Sequence, residues 1–481
     1  MNKIALLWFR SDLRLQDNDA LAWAIREGYA IVPYFHYSAQ DAAWALGGAS
    51  RWWLHHALAD LQDQITAQGG QLLLGAPQET TEHALCRVVE EVGAQAVLWN
   101  RSYEPAQIQR DSRLKAHLQS EGYLAKSFNS AILAEPSRVL NKSGKPYRVF
   151  TPFWKSLAPQ TVDATTVEIR EARWHLPPRP SAAPRVCLQD YALLPTIPWD
   201  TGFATAWDVS RAGAMARLEG FHPHAARRYG ALRDRPDLDS TSRLSPYLHF
   251  GQIGPRELVQ HLRVGQEDTI ESGVVRQLYW REFAHHLLYH FPHTTTQPLY
   301  EKYATFPWEE NATYLRAWQR GETGFPIVDA GMRQLWATGW MHNRVRMIVG
   351  SFLVKHLLQP WQAGVDWFWD TLVDASLPNN SLGWQWVAGC GADGAPYFRV
   401  FNPITQGQKF DETGDYVRRW CPELARVPLP YLHFPFDAPP LELRAAGVTL
   451  GREYPAPITT HADGRARALA ALDRFKSSTE A

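Results

Sequence analysis

The sequence predicts an α/β N-terminal domain on a doubly wound parallel sheet and an all-α C-terminal domain, joined by a long connector. Three observations lead there. Four short apolar runs alternate with helical patterns before residue 130. Prolines crowd the stretch 131–200, at Pro177, Pro178, Pro180, Pro184, Pro195 and Pro198. From about residue 205 onward the periodicity is helical, with no repeating unit. A chain of 481 residues exceeds one ordinary core, and the division expected is 1–130, 131–204 and 205–481.

The elements follow in order. Ile4–Phe9, Ala30–Phe35, Gln71–Leu74 and Ala94–Trp99 are short apolar runs bounded by glycine or polar residues, as buried parallel strands are. Helical patterns occupy about 18–27, 50–68 and 79–92, with Gly28, Gly69-Gly70 and Gly93 as stops. A helix over Pro105–Gln119 completes the first domain. The first strand-to-helix turn, Arg10-Ser11-Asp12-Leu13-Arg14, has no Gly-x-Gly-x-x-Gly, so this domain is not expected to hold a dinucleotide in the usual manner. The proline-rich stretch reads as an ordered connector across the surface.

Composition narrows the function classes. Hydrophobic residues make up 45% and charged residues 20%, a globular profile. No stretch approaches the ~20 apolar residues that span a bilayer, and Met1-Asn2-Lys3-Ile4 shows no signal-peptide core, so a cytoplasmic protein is expected. Cys86, Cys187, Cys390 and Cys421 are too scattered for a zinc or disulfide framework. Acidic and basic residues balance at 49 each, so nucleic-acid binding needs a local basic face. Residues 211–263 supply one, with nine arginines against five acids, and residues 330–360 add four basic residues. Twenty-one tryptophans are several times what a chain of this length normally carries, and many lie after residue 270, though indoles in large helical cores are common.

Four segments carry chemistry. Tyr229 to Pro236, with Arg233, leads into Thr241-Ser242-Arg243-Leu244-Ser245, a hydroxyl-rich turn whose free N–H groups suit a phosphate; an ordinary helix cap reads the same way. In Arg276 to Phe283, Gln277, Trp280 and Arg281 stand at i, i+3 and i+4 and share a helix face fit to stack on a base and bond its edge. Trp340, Asn343, Arg344 and Met347 form a second such stripe, and His342, without a partner at ligand spacing, reads as structural. Asp374 to Trp386, with Asn380, Trp384 and Trp386, and then Phe398 to Phe410, with Arg399 and Gln406, place a carboxylate and carboxamides beside indoles.

Together with Trp8-Phe9-Arg10-Ser11-Asp12-Leu13-Arg14-Leu15, these segments resemble the photolyase/cryptochrome flavoproteins, specifically the class I cyclobutane pyrimidine dimer photolyases. The resemblance spans nearly the whole chain and ends near Phe475 without a regulatory tail. It implies a U-shaped FAD in the C-terminal domain. Tyr229, Thr241, Ser242, Arg243, Leu244 and Ser245 would hold its phosphates and ribityl chain, Arg281 and Asp374 its ring, and Asn380 its N5. It implies an electron-transfer chain of Trp384, Trp361 and Trp308. Gln277, Trp280, Asn343, Met347 and Trp386 would line the lesion pocket, and Arg233, Arg344, Arg399 and Gln406 would contact UV-damaged DNA. A monomer is expected.

Three departures stand out. Gln277 replaces the glutamate that class I enzymes set against the dimer; an amide can donate to a carbonyl oxygen but cannot give up a proton. The (6-4) photolyases and animal cryptochromes also carry Gln there, but the (6-4) enzymes need a histidine pair where this chain has Asn343 and Met347. Asp374-Ala375-Ser376 replaces Asp-Gly-Asp. Ala106-Gln107 replaces the Asn-Glu pair that binds methenyltetrahydrofolate, so the antenna chromophore is left open between that folate, a deazaflavin and none. The expected function is light-driven dimer repair, with a non-repairing blue-light photoreceptor as the alternative.

Overall fold

Five parallel strands form one sheet in the order β3-β2-β1-β4-β5. They are β1 (Ile4–Phe9), β2 (Ala30–Phe35), β3 (Leu73–Leu74), β4 (Ala96–Asn100) and β5 (Leu124–Phe128). The computed structural model describes residues 3–41, 43–161, 165–169, 171–176, 186–221, 224–263, 273–393 and 399–480. In the centre Leu6 pairs with Val32 on one side and Val97 on the other, and all three are buried, as strands covered on both faces must be. Helices Asp19–Arg26, Gly48–Ala67, Thr81–Glu91 and Pro105–Ser120 fall where the periodicity puts them. The fifth strand was not expected, and β3 and β4 start two residues later than predicted.

The two faces of the sheet meet different neighbours. Trp8, Val32, Val97 and Trp99 close one face against Leu85, Val88 and Leu114 of flanking helices. Leu7, Phe9, Ile31 and Leu98 face the other way, into a core continuous with Trp53, Tyr247 and Phe283. There the Trp53 ring stands edge-on to Tyr247 at 4.9 Å, and its Nε1–H donates to Gln252 Oε1 at 2.8 Å.

The turn after β1 explains the missing glycine fingerprint. Instead of cradling a phosphate, it docks on the helical part: Leu13 N–H donates to the Phe250 carbonyl (3.1 Å), and buried Arg14 donates to the carbonyls of Gly251 and Ser130 (2.8 Å each). Gly251 sits at φ +69°, and a Cβ there would lie 2.2 Å from the Ser11 carbonyl oxygen, so only glycine permits this approach.

The connector is not a surface strap throughout. Helix Phe150–Thr161 buries Phe150, Phe153 and Leu157 at i, i+3 and i+7 against helix Gly273–His290, with Phe153 and Phe283 rings 5.1 Å apart. Pro177, Pro178, Pro180 and Pro184 lie outside the described residues; Pro195 and Pro198 lie in loops. From Phe203 the named elements are helical apart from an isolated bridge, Leu450 to Tyr454. Among the described residues, no helix is long and apolar enough to cross a membrane.

Candidate active site

A cavity of about 550 Å³ opens between helices Gly273–His290, Asn343–Ser351 and Leu377–Ala388. That is the size range of a cofactor or drug-sized ligand site. Gln277, Trp280 and Arg281 all border it, as their shared helix face predicts. So do Tyr229, Arg233, Ser242, Leu244, Ser245, Asn343, Met347, Asp374, Asn380, Trp384 and Trp386.

Polar groups gather along the cavity. Asp374 Oδ2 accepts from Ser245 Oγ (2.6 Å) and Arg346 Nη2 (2.9 Å), while its buried Oδ1 has no partner in the protein. Asn380 is anchored by Nδ2–H donating to the Val365 carbonyl (3.1 Å). Arg281 Nη1 donates to the Ala131 carbonyl (2.9 Å), and burial draws the guanidinium below its usual value despite Glu282 alongside. Glu282, next to it, is pushed up to about 7 by burial, and its Oε2 accepts from Leu133 N–H (2.8 Å). One helix thus fixes both the cavity wall and the start of the connector.

Rings and amides border the cavity as well. Trp280 stacks on Phe150. Gln277 Nε2 donates to the Gly273 carbonyl of its own helix (3.1 Å), and Asn343 Nδ2 lies 4.0 Å from Met347 Sδ. Trp384 is buried between Phe368 and Trp318, at 5.0 and 6.1 Å between centroids, with its Nε1–H unpartnered.

The stripe expected at Trp340, Asn343, Arg344 and Met347 needs correction. His342 caps the helix, accepting from Arg344 N–H (3.2 Å), so the helix begins at Asn343 and Trp340 precedes it. Trp340 is buried beneath Arg243 and Arg346, 5.0 and 5.9 Å from its ring. Arg344 turns to Asp234 (2.7 Å). No group of three or more candidate metal ligands occurs among the described residues.

Other predicted residues stand off the cavity lining. Thr241 and Arg243 do not border it; Arg243, at φ +51°, pairs with Asp239 at 3.3 Å. Arg399 is exposed, its carbonyl accepting from Lys355 Nζ (2.5 Å), and Gln406 is half-buried on helix Pro403–Phe410. Phe398 lies outside the described residues. Trp361 is buried in the core that holds Trp384, and Trp308 is half-buried. A Cβ on Gly364, one turn after Trp361, would strike the Trp384 ring, and Glu309 N–H donates to the Leu358 carbonyl (2.8 Å). The three indoles therefore lie on segments in direct contact, with Trp384 at the cavity, Trp361 buried and Trp308 half-buried.

The lining also holds His249, Arg346, Phe368, Ser376 and Asn379, which the sequence reading did not assign. Arg346 had a signal: Asn343, Arg346 and Met347 are i, i+3 and i+4 once the helix start is placed correctly. A second cavity of about 340 Å³ between the sheet and the helical part is bordered by Ala106 and Gln107, and Gln107 Nε2 donates to Glu104 Oε2 (2.8 Å).

A family model described as DNA photolyase matches residues 5–171, and one described as the FAD binding domain of DNA photolyase matches residues 274–474. The deoxyribodipyrimidine photo-lyase of Agrobacterium fabrum is 45% identical, with 98% of each protein covered. The chain belongs to the photolyase/cryptochrome family. Its relatives fall on both sides of that name. Cryptochrome-2 of Arabidopsis thaliana is 36% identical over 99% of this chain and 80% of its own length. A bacterial class III photolyase from Agrobacterium tumefaciens has a crystal structure that superposes with a TM-score of 0.93, at 43% identity, covering 99% of this chain and 98% of that one. Class III is thus the photolyase class named for that neighbour, where the sequence resemblance named class I.

The residues present fit the FAD that the family's C-terminal domain binds. The unpartnered Asp374 Oδ1 and Trp384 Nε1 both belong to side chains on the cavity wall, and buried polar atoms of that kind call for a polar ligand. Ser242, Ser245, Arg281 and Asn380 add donors around the same space.

Proposed function

We propose that this chain is a deoxyribodipyrimidine photo-lyase: it holds a flipped-out cyclobutane pyrimidine dimer of UV-damaged DNA against FAD and splits it in light. The observation that carries this reading is one cavity bordered by two unlike sets of side chains. Arg281, Asp374 and Asn380, the groups suited to the cofactor, and Gln277, Trp280, Asn343, Met347 and Trp386, those suited to the lesion, all border the same space. FAD, when bound and reduced, supplies the photoexcited electron that the reaction needs.

The protein's task is positioning and electrostatics. Asp374, oriented by Ser245 and Arg346, offers an acceptor oxygen to the cofactor's polar edge, and Asn380 presents an anchored carboxamide beside it. Tyr229, Ser242, Leu244 and Ser245 line its phosphate and ribityl side, with Thr241 and Arg243 behind them. Trp280 and Trp386 supply faces on which the extruded pyrimidines stack, each worth roughly 1–3 kcal/mol. A dimer stacks and pairs poorly, so flipping it out costs less than flipping an intact base. Gln277 and Asn343 bond the edges of the lesion, and Met347 closes the pocket. Arg233, Arg344, Arg399 and Gln406 carry the flanking strand by phosphate and polar contacts. Trp384, Trp361 and Trp308 pass an electron inward from the surface when the cofactor must be reduced.

We assign the antenna role to residues 1–130 and catalysis to residues 205–481, in a cytoplasmic monomer. The photoreceptor alternative rests on Gln277 alone, whereas Trp280, Asn343, Met347 and Trp386 all border the cavity. Blue light on the reduced protein with a thymine-dimer oligonucleotide tests the proposal: thymine recovery above the dark control supports it, and none removes it.

A further inference from the structure

Three cavities meet at one side chain. Between the sheet domain and the helical part lies a small cavity of about 60 Å³, bordered by Asn100, Tyr103 and Glu104 on one side and by Arg281, His285 and Ser376 on the other. It shares Arg281 and Ser376 with the 550 Å³ cavity, and Arg10, Ser11 and Glu104 with the 340 Å³ interdomain cavity. His249 borders all three, and no other described residue does.

The surroundings suit water. A volume of about 60 Å³ accommodates roughly two molecules at ~30 Å³ each, and carboxylate, amide, phenol and guanidinium groups border it. His249 Nε2 is buried without a hydrogen-bond partner in the protein. Burial pushes the ring down to about 4, Asp374 raising it and Arg281 lowering it, so it is neutral near pH 7. A neutral imidazole accepts a proton on one nitrogen and releases one from the other, keeping its charge.

We propose that His249 relays protons from the interdomain cavities into the flavin cavity whenever the cofactor is reduced. This rests on FAD occupying the 550 Å³ cavity. Each electron from an external one-electron donor adds a negative charge inside a low-dielectric cavity beside Asp374, and a proton drawn from solvent offsets such a charge. The proton enters through water in the interdomain cavity. His249 takes it on one ring nitrogen and gives up the proton of the other. The tautomer is then restored through the cavity waters, leaving the ring unchanged. Dimer splitting returns its electron and needs no net proton, so the relay serves cofactor reduction.

The test is anaerobic reduction of the FAD-loaded full chain by reduced methyl viologen, a one-electron donor whose oxidation releases no proton, with flavin absorbance reporting electrons and a pH-indicator dye reporting protons. In the parent, proton uptake keeps pace with electron arrival. In His249→Ala it lags by at least about tenfold, and imidazole added to the solution restores it, a rescue that a purely structural histidine does not give. His249→Gln, closer in size and polar but unable to relay, shows the same lag and serves if the alanine variant does not fold. Uptake that keeps pace in the variants at full FAD content, or a lag that imidazole leaves untouched, overturns the relay alone. A parent protein that takes up no FAD overturns the cofactor site and the relay together.

Discussion

Trp280 lies flat on Phe150, with 3.7 Å between ring centroids and 7° between planes. The pair joins a residue of the connector to one on the wall of the main cavity, and Arg276 caps the far aromatic, 5.5 Å from Phe150 and 4.7 Å from Trp154. The indole is therefore held in one orientation before any ligand arrives, which lowers the entropy cost of stacking on it.

Trp280→Ala is expected to weaken binding of a dimer-containing oligonucleotide by about 1–3 kcal/mol, the usual worth of one base stacked on an aromatic ring. Phe150→Ala leaves the indole but frees it, and weakens binding less. Fluorescence anisotropy measures both, and Phe150→Ala binding as tightly as the parent would show that the stack orients nothing.

Gln277→Glu is expected to raise the repair yield per photon, because a carboxyl can give the dimer a proton where an amide cannot. The same change removes the N–H that Gln277 donates to the Gly273 carbonyl, so stability falls by about 1 kcal/mol. Dimers repaired per absorbed photon and a urea titration read the two effects separately. An unchanged or lower yield contradicts the role given to this position.

Trp384→Phe is expected to slow photoreduction by at least about tenfold, while protein reduced chemically beforehand still repairs. Trp384 is the indole of the three that borders the cavity, so the chain breaks at its inner end. Flash photolysis of the oxidised protein decides it: equal photoreduction in variant and parent refutes the assigned order.

Glu282 gives the fold a pH dependence. Burial holds its carboxyl at about 7 against an ordinary 4.5, so folding favours the protonated acid. That contribution is complete below about pH 4.5 and is lost as pH rises through about 7. In Glu282→Gln, which keeps an acceptor for Leu133 N–H, the dependence disappears. The stability of the parent relative to the variant should fall between pH 5 and 8 by at most about 3 kcal/mol, at 1.36 kcal/mol per pKa unit. A difference that stays flat in denaturant titrations across that range contradicts it.

Three of the four strands legible in the sequence are buried on both faces; the fourth, β3, is a half-buried edge strand. β1, β2 and β4 are the centre of the sheet and read as continuous apolar runs. β5 is an edge strand, Leu124-Ala-Lys-Ser-Phe, with Leu124 42% exposed, so nothing forces an apolar pattern on it. At the site, local spacing sufficed where one helix presents one face, as for Gln277, Trp280 and Arg281. It failed at Trp340 because a histidine cap sets the helix start, and histidine is not among the residues that announce one. His249 was out of reach for another reason: its meaning comes from three cavities whose other walls stand on segments far away in sequence.

The central claim is that cofactor and extruded lesion share the cavity between the Gln277 and Asn343 helices. The fluorescence lifetime of the reduced flavin, with and without bound DNA, tests it most directly. The account predicts a lifetime shortened by a dimer-containing oligonucleotide and unchanged by the same sequence undamaged. An equal lifetime with both DNAs at saturation would contradict it.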